Sequence, residues 1–376
     1  MKKITVLGAG MVGSAIALDL AFSHAVTAVD RDRANLELLK SKNPAVETMQ
    51  ADVTQTDALQ DAAAGADLLI SAVPGHMGFE ILKNLIGFKK PIVDISFFPE
   101  DAFQLDSVAR QNGVTAIVDC GVAPGMDNII LGHYDAIWKV TNFECYVGGL
   151  PVERKWPFEY KAPFSPADVI EEYLRPARLK QNGEIVTREA LSDPELMDFG
   201  KAGMLEAFNT DGLRSLLKTM RHIPDMKEKT LRYPHHIEYI RVLRESGFFS
   251  GDLIDAAGTK VRPIDLTSAL LFHQWKLRPG DREFTAMRVI VEGSDAGQSK
   301  RAIYNLHDET DVKTGTSSMA RTTGYTATAA AEFMLRGNVN MQGIIAPEIL
   351  GRIEGCLGFF LAYQEKRGIR YERTVG

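Results

Sequence analysis

KKITVLGAGMVGSAIALDLAF (residues 2–22) followed by HAVTAVD (24–30) is the stretch whose reading decides the fold. Residues 4–7 form a short β-branched apolar run, GAGMVG supplies Gly8, Gly10 and Gly13 around Met11 and Val12, and residues 15–22 carry an apolar helical pattern. Strand, glycine turn and helix therefore stand in the order a dinucleotide fingerprint needs. Gly8 permits the tight turn, Gly10 lets the backbone approach a pyrophosphate, and Gly13 lets helix and strand pack closely. The helix N-terminus presents unpaired N–H groups to the phosphates. A second apolar strand, residues 25–29, ends in Asp30, 22 residues after Gly8, where a carboxylate would accept the adenosine ribose hydroxyls. A secretory leader is the competing reading, since Lys2 and Lys3 precede an apolar run. Gly8, Gly10, Gly13 and Asp19 interrupt that run.

Working outward, the βα alternation continues for about ninety residues. Strands are predicted at 46–53, 66–73, 91–97 and 114–120, with helices at 57–65, 77–88 and 100–113 between them. Strands separated by helices of this length make a parallel, doubly wound α/β sheet, and ligands bind beyond the carboxyl ends of its strands. The residues at those ends are Asp30 with Arg31, Asp52 with Val53, Ala72, Val73 and Pro74, Ser96 with Phe97, and Asp119. We expect NAD rather than NADP, because Asp30 would repel a 2′-phosphate.

Beyond residue 122 the pattern changes. A helix opens in GVAPGMDN, a strand spans 141–150, and two long strands, 285–292 and 300–307, flank a Gly-Ser-Asp-Ala-Gly turn. This is an α+β region. Helices predicted at 323–336 and 347–366 would return to cover the first sheet. The expected organisation is a Rossmann domain at 1–123, a substrate and dimerisation domain at 124–322, and returning helices at 323–376. At 376 residues the chain suits about two or three domains. A net charge of −6 without a basic block argues against nucleic acid, and no apolar run is long enough for a membrane. Cys120, Cys145 and Cys356 have no C-x-x-C spacing, so no metal site is indicated and a reducing cytoplasm is expected.

The chain resembles the saccharopine dehydrogenase family, most of all its lysine 6-dehydrogenase branch. The motifs that carry the resemblance, in order, are GAGMVG, DCGVAPGM (119–126), YVGGLPV (146–152), FEYKAPFSPADVIEEYLRPA (158–177), LEAFNTDG (205–212), KTLRYPHH (229–236) and MARTTGYT (319–326). The resemblance implies a nicotinamide enzyme acting on a C–N bond of an amino acid. Saccharopine reductases differ at three places: Ser-Tyr where this chain has Ser96-Phe97, a cysteine at Val147, and Asn-Arg-Asp at Asn209-Thr210-Asp211. Their arginine would hold a glutamate carboxylate, so Thr210 removes a clamp whose charged hydrogen bonds are each worth about 1.5–3 kcal/mol. The expected reaction is oxidative deamination of the ε-amine of L-lysine to 2-aminoadipate 6-semialdehyde. Alternatives are a saccharopine or carboxyalkyl-polyamine reductase, and an NAD(H)-binding sensor without catalysis.

Hydride loss requires a neutral amine, whereas a free lysine amine has a pKa near about 10.4, so the site must supply a base or desolvate it. Asp119 is the expected base; a turn-capping carboxylate is its plainer reading. Arg321, Arg214, Arg232 and Arg241 are candidates for the substrate carboxylate, Glu206 and Asp211 for its α-amine, and Thr322 with Thr323 for hydrogen bonding. Cys120, His235 and His236 read as packing residues. A homodimer or dimer of dimers is expected, because the hairpin at 285–307 would otherwise expose a strand edge.

Overall fold

The computed structural model describes residues 1–162, 166–278 and 280–376; Pro163, Phe164 and Ser165, within one of the quoted motifs, lie outside the described residues. Chain order begins as predicted: β1 (Lys3–Leu7), α1 (Met11–Leu20), β2 (Ala25–Asp30), α2 (Arg33–Lys42), β3 (Glu47–Gln50), α3 (Thr56–Ala63), β4 (Leu68–Ser71), α4 (Gly75–Ile86), β5 (Ile92–Asp94), α5 (Asp106–Gln111) and β6 (Thr115–Ile117). These strands are parallel, and the strand order places β1 between β2 and β4. Leu68, Leu69 and Ile70 are buried on both faces of the sheet, which is why they read as a continuous apolar run rather than an alternating one.

The second region starts with α6 (Met126–Asp135) and β7 (Lys139–Pro151), followed by α7 (Pro166–Leu174), β8 (Ala177–Gln181), β9 (Glu184–Arg188), β10 (Glu195–Asp198), β11 (Met204–Asn209), α8 (Leu216–Thr219), β12 (Asp225–Arg232) and α9 (His236–Glu245). A small ribbon, β13 (Ile254–Ala256) with β14 (Thr259–Val261), leads to α10 (Pro263–Trp275) and the long hairpin β15 (Glu283–Asp295) and β16 (Gln298–Glu309). In this mixed sheet β7 is central, parallel to β12 and antiparallel to β15. The outer edge of the hairpin is partly covered. Residues Ala302–Leu306 of its outer strand β16 are paired by the C-terminal strand Tyr371–Val375, which itself becomes the edge of the sheet.

The last segments tie the two sheets together. α11 (Ser318–Leu335) begins five residues before the predicted start, because Ser317 caps it by accepting from the amide of Ala320 at 3.3 Å. Ala327, Ala329, Ala330 and Ala331 are fully buried, and Gly324 brings the helix within contact of Ile16 on α1. Then β17 (Gly343–Ile345) adds a seventh parallel strand beside β6, which the sequence reading missed. The single helix predicted at 347–366 is two, α12 (Pro347–Gly351) and α13 (Cys356–Glu365), because Gly355 at φ +78° takes a left-handed conformation that breaks the run. β18 (Tyr371–Val375) closes the chain.

Helices α6 and α12 touch backbone to backbone. A Cβ on Gly132 would lie 2.0 Å from the Glu348 carbonyl oxygen, and one on Gly351 would lie 2.3 Å from that of Ile129. Gly132→Ala is therefore expected to cost about 1–3 kcal/mol through overpacking. Gly358→Ala on α13, where a Cβ meets nothing within 4 Å, should leave stability unchanged or higher. Urea unfolding of both variants checks the contrast.

Candidate functional site

The carboxyl ends of the parallel strands open on a cleft of about 810 Å³, within the roughly 300–1,000 Å³ typical of ligand pockets. Gly8, Gly10, Met11, Val12 and Gly13 line one end with Asp30, Arg31, Asp52 and Val53, and Ala72, Val73, Pro74 and Ser96 continue along it. The glycine turn is shaped to receive a dinucleotide. A Cβ on Gly8 (φ +98°) would lie 2.4 Å from the Ala72 carbonyl oxygen and one on Gly13 would lie 2.0 Å from that of Gly8, whereas above Gly10 there is nothing within 4 Å. Strand and helix are thus packed at contact beneath an open backbone cradle. Asp30 also holds the turn, its carboxylate accepting from the amides of Ala9 at 2.7 Å and Asp32 at 2.8 Å. Asp32, Asn35 and His76 line the cleft too. Asp32, which the sequence reading did not single out, caps α2 by accepting from the Ala34 amide.

Asp119 lies at the other end, just past β6, with φ 51°. Its carboxylate is gripped by Arg214, whose Nε stands 3.0 and 3.1 Å from the two oxygens and whose Nη2 is 2.9 Å from one of them. Arg214 Nη1 donates to the Phe98 carbonyl at 2.9 Å, and the guanidinium lies over the Phe97 ring at 4.4 Å. Beneath, Asp94 is fully buried and accepts from the Ser96 amide at 2.8 Å; burial pushes its carboxyl up to about 7.

The second domain supplies the facing wall. Glu228, Thr230 and Arg232 alternate along β12 and all line the cleft, with Val147, Gly148 and Gly149 from β7, Thr210, Asp211 and Gly212 after β11, and Glu171, Glu172 and Arg175 around the end of α7. The hydroxyls of Thr210 and Thr230 are 2.8 Å apart. Arg232 is buried, donates to Tyr173 at 2.9 Å and Glu172 at 3.1 Å, and lies over the Tyr160 ring. Asp211 is held by Arg178 at 2.8 and 2.9 Å. Glu228 differs from these: its Oε2 is buried and has no hydrogen-bond partner among the described residues. Burial, reinforced by the nearby Asp127, Glu172 and Asp211 carboxyls, pushes its carboxyl well above the ordinary range. Asp127, behind it on α6, is likewise pushed up by burial, to about 7.

Three residues expected in the site stand elsewhere. Arg321 is buried in α11, donating to the carbonyls of Glu309 at 3.1 Å and Arg367 at 3.0 Å beside Asp308 at 3.3 Å, so it fastens the C-terminal segment to the hairpin. Thr322 is fully buried and returns its hydroxyl to the Ser318 carbonyl at 3.0 Å, the way a helix satisfies a buried threonine. Glu206 lies on β11 beside His235 and Arg241, outside the cleft lining. Thr323, one residue on, does line the cleft. Cys120 is buried, and burial pushes its thiol far up, away from nucleophilic use. His236 packs among Tyr173, Tyr160 and Trp275, with Nε2 2.9 Å from the Tyr173 hydroxyl. Among the described residues no cluster of three or more His, Cys, Asp or Glu side chains is placed to hold a metal, and no helix is long and apolar enough to cross a membrane.

Comparison with known proteins matches both halves of this architecture. Residues 4–117 match the saccharopine dehydrogenase NADP binding domain and residues 121–369 the saccharopine dehydrogenase C-terminal domain. The chain is 25% identical to the NADP(+), L-glutamate-forming saccharopine dehydrogenase of Saccharomyces cerevisiae, over 92% of this chain and 94% of that one. It is 23% identical to the carboxyaminopropylagmatine dehydrogenase of Synechocystis, over 93% and 92%. The apo saccharopine dehydrogenase (L-Glu forming) structure from S. cerevisiae shares its fold, with a TM-score of 0.80 at 22% identity, covering 100% of both chains. The chain is an oxidoreductase with a nicotinamide dinucleotide domain, and it belongs to the saccharopine dehydrogenase family.

Proposed function

We propose that this enzyme uses NAD to oxidise the ε-amine of L-lysine, producing 2-aminoadipate 6-semialdehyde and ammonia. The observation that carries the reading is the Thr210–Thr230 hydroxyl pair, 2.8 Å apart in the cleft wall, at the place where the resemblance puts the arginine of saccharopine reductases. Without that clamp a glutamate arm has no partner there. The second-domain wall carries Glu171, Glu172, Asp211 and Glu228, which suits a cationic amine, while Arg175 and Lys276 on the same lining suit one α-carboxylate.

When bound, the dinucleotide supplies the hydride acceptor. The backbone amides of the glycine turn receive its pyrophosphate, and Asp30 accepts the ribose hydroxyls. Phe97 and Val147 flank the substrate region with apolar surface that excludes water. Asp119, immobilised by Arg214, is placed to orient the water that converts the substrate imine to aldehyde and ammonia.

A second reading, oxidation of saccharopine or a carboxyalkyl polyamine, is supported by the near full-length similarity to the yeast and Synechocystis dehydrogenases. A cofactor sensor is disfavoured, since it would need no such substrate wall.

NADH formation with lysine, saccharopine and carboxyalkyl polyamines separates the first two. Lysine is expected to be turned over fastest, with a rate that climbs toward alkaline pH as the neutral amine, of ordinary pKa near about 10.4, becomes more abundant. Faster saccharopine oxidation would transfer the protein to the second reading. For the cofactor, Asp30→Ser should weaken NAD by about tenfold, as two hydrogen bonds of roughly 0.5–1.5 kcal/mol each are lost, and so narrow the preference over NADP. A wild type that binds NADP more tightly than NAD would refute this.

A further inference from the structure

Two carboxyls line the substrate end of the cleft without being equivalent. The oxygens of Asp119 are engaged by Arg214 at 2.9–3.1 Å. Glu228 has an Oε2 with no partner, in a side chain buried within the protein yet lining the same cleft. The backbone of Gly212 crosses directly over that carboxyl: a Cβ there would stand 1.9, 2.0 and 2.1 Å from its Cδ, Oε1 and Oε2. Only a glycine leaves the carboxyl room in this position, and Gly212 lines the cleft as well.

Resting on the proposed amine oxidation, we propose that Glu228 is the general base that takes the proton from the substrate's ammonium group. In that step one N–H bond of R–CH2–NH3+ breaks, its electron pair remains on nitrogen, and the carboxylate of Glu228 becomes a carboxylic acid. The neutral amine can then lose hydride from carbon to the nicotinamide dinucleotide while the nitrogen lone pair forms C=N. Addition of water to the resulting iminium ion and departure of ammonia complete the oxidation.

The surroundings of Glu228 favour proton uptake. It faces Asp127 from α6, Cys145 from β7, Glu172 from α7, and Asp211 and Arg214 from the connection after β11, with Arg232 four residues along its own strand. Three of those neighbours are acids that disfavour a further negative charge, and burial does the same; the Arg214 guanidinium opposes them. A carboxyl in such a place holds a proton far more readily than one in water, as a base for an ammonium ion must. The same desolvation lowers the amine's own hold on its proton once it enters the cleft.

Glu228→Gln preserves the shape and removes the proton acceptor. With whichever of lysine, saccharopine or a carboxyalkyl polyamine the wild type oxidises, the variant should lose about 10²–10⁴-fold in kcat at neutral pH. The loss should shrink as pH approaches the amine's ordinary pKa, because solution then supplies neutral amine. NAD affinity and melting temperature should be unchanged. Gly212→Ala, which pushes the carboxyl aside, should reproduce the neutral-pH loss and stands in if the glutamine variant fails to fold. Wild-type kcat and pH profile in Glu228→Gln, or in Gly212→Ala when only that variant folds, would overturn the assignment. A wild type active on saccharopine but not lysine would instead overturn the lysine reading and leave Glu228 to be judged on saccharopine. A wild type inactive on all three overturns both.

Discussion

The buried pair between Asp119 and Arg214 is the contact on which the cleft depends. Asp119 lies just past β6, the last strand of the first domain's own βα run, and Arg214 belongs to the loop that follows β11 in the second sheet. Both adopt left-handed backbone, φ 51° and 41°, so each chain segment turns sharply to bring its charge to the meeting point. Arg214 also donates through Nη1 to the carbonyl of Phe98, after β5. Removing one partner of such a pair strands a buried charge, typically at a cost of about 3–5 kcal/mol. The connection bearing Thr210, Asp211 and Gly212 is thereby held in register with the strand ends that receive the dinucleotide.

This arrangement separates two carboxyls by environment. One is fixed by three close N···O contacts and is suited to positioning; the other keeps an unpartnered oxygen among acids and is suited to exchanging a proton. Burial does opposite things to their usefulness. For Asp119 it strengthens the pairing with Arg214, since charges attract more strongly away from water; for Glu228 it favours the neutral acid.

The dinucleotide half was legible in the sequence because its constraints are local. Gly8, Gly10, Gly13 and Asp30 lie within one βαβ unit, and the steric demands on Gly8 and Gly13 follow from contacts to Ala72 and to Gly8 itself. The seventh strand at 343–345 escaped notice because it is three residues long and gains its identity from pairing with β6. Arg321 and Thr322 looked functional because charge and hydroxyl sit together in a short motif, but α11 is buried and uses both internally. Glu228 was missed for the converse reason. Its alternation with Thr230 and Arg232 is visible in EKTLR, but nothing local says which face of β12 meets a cleft; that depends on β7, α7 and the loop after β11 all arriving there.

The same wall bears on which amine fits. A saccharopine arm would carry extra carboxylates toward a wall where Arg178 and Arg232 are already paired with Asp211 and Glu172. An arginine at position 210 would add a cation for such an arm; a threonine hydrogen-bonded to Thr230 does not. On the proposed reading lysine brings one carboxylate, which Arg175 and Lys276 would meet, and two amines, of which Glu228 would meet the ε-amine. The charge pattern of the second domain therefore supports the proposed lysine reading, in which the single carboxylate has cations on the wall to meet it.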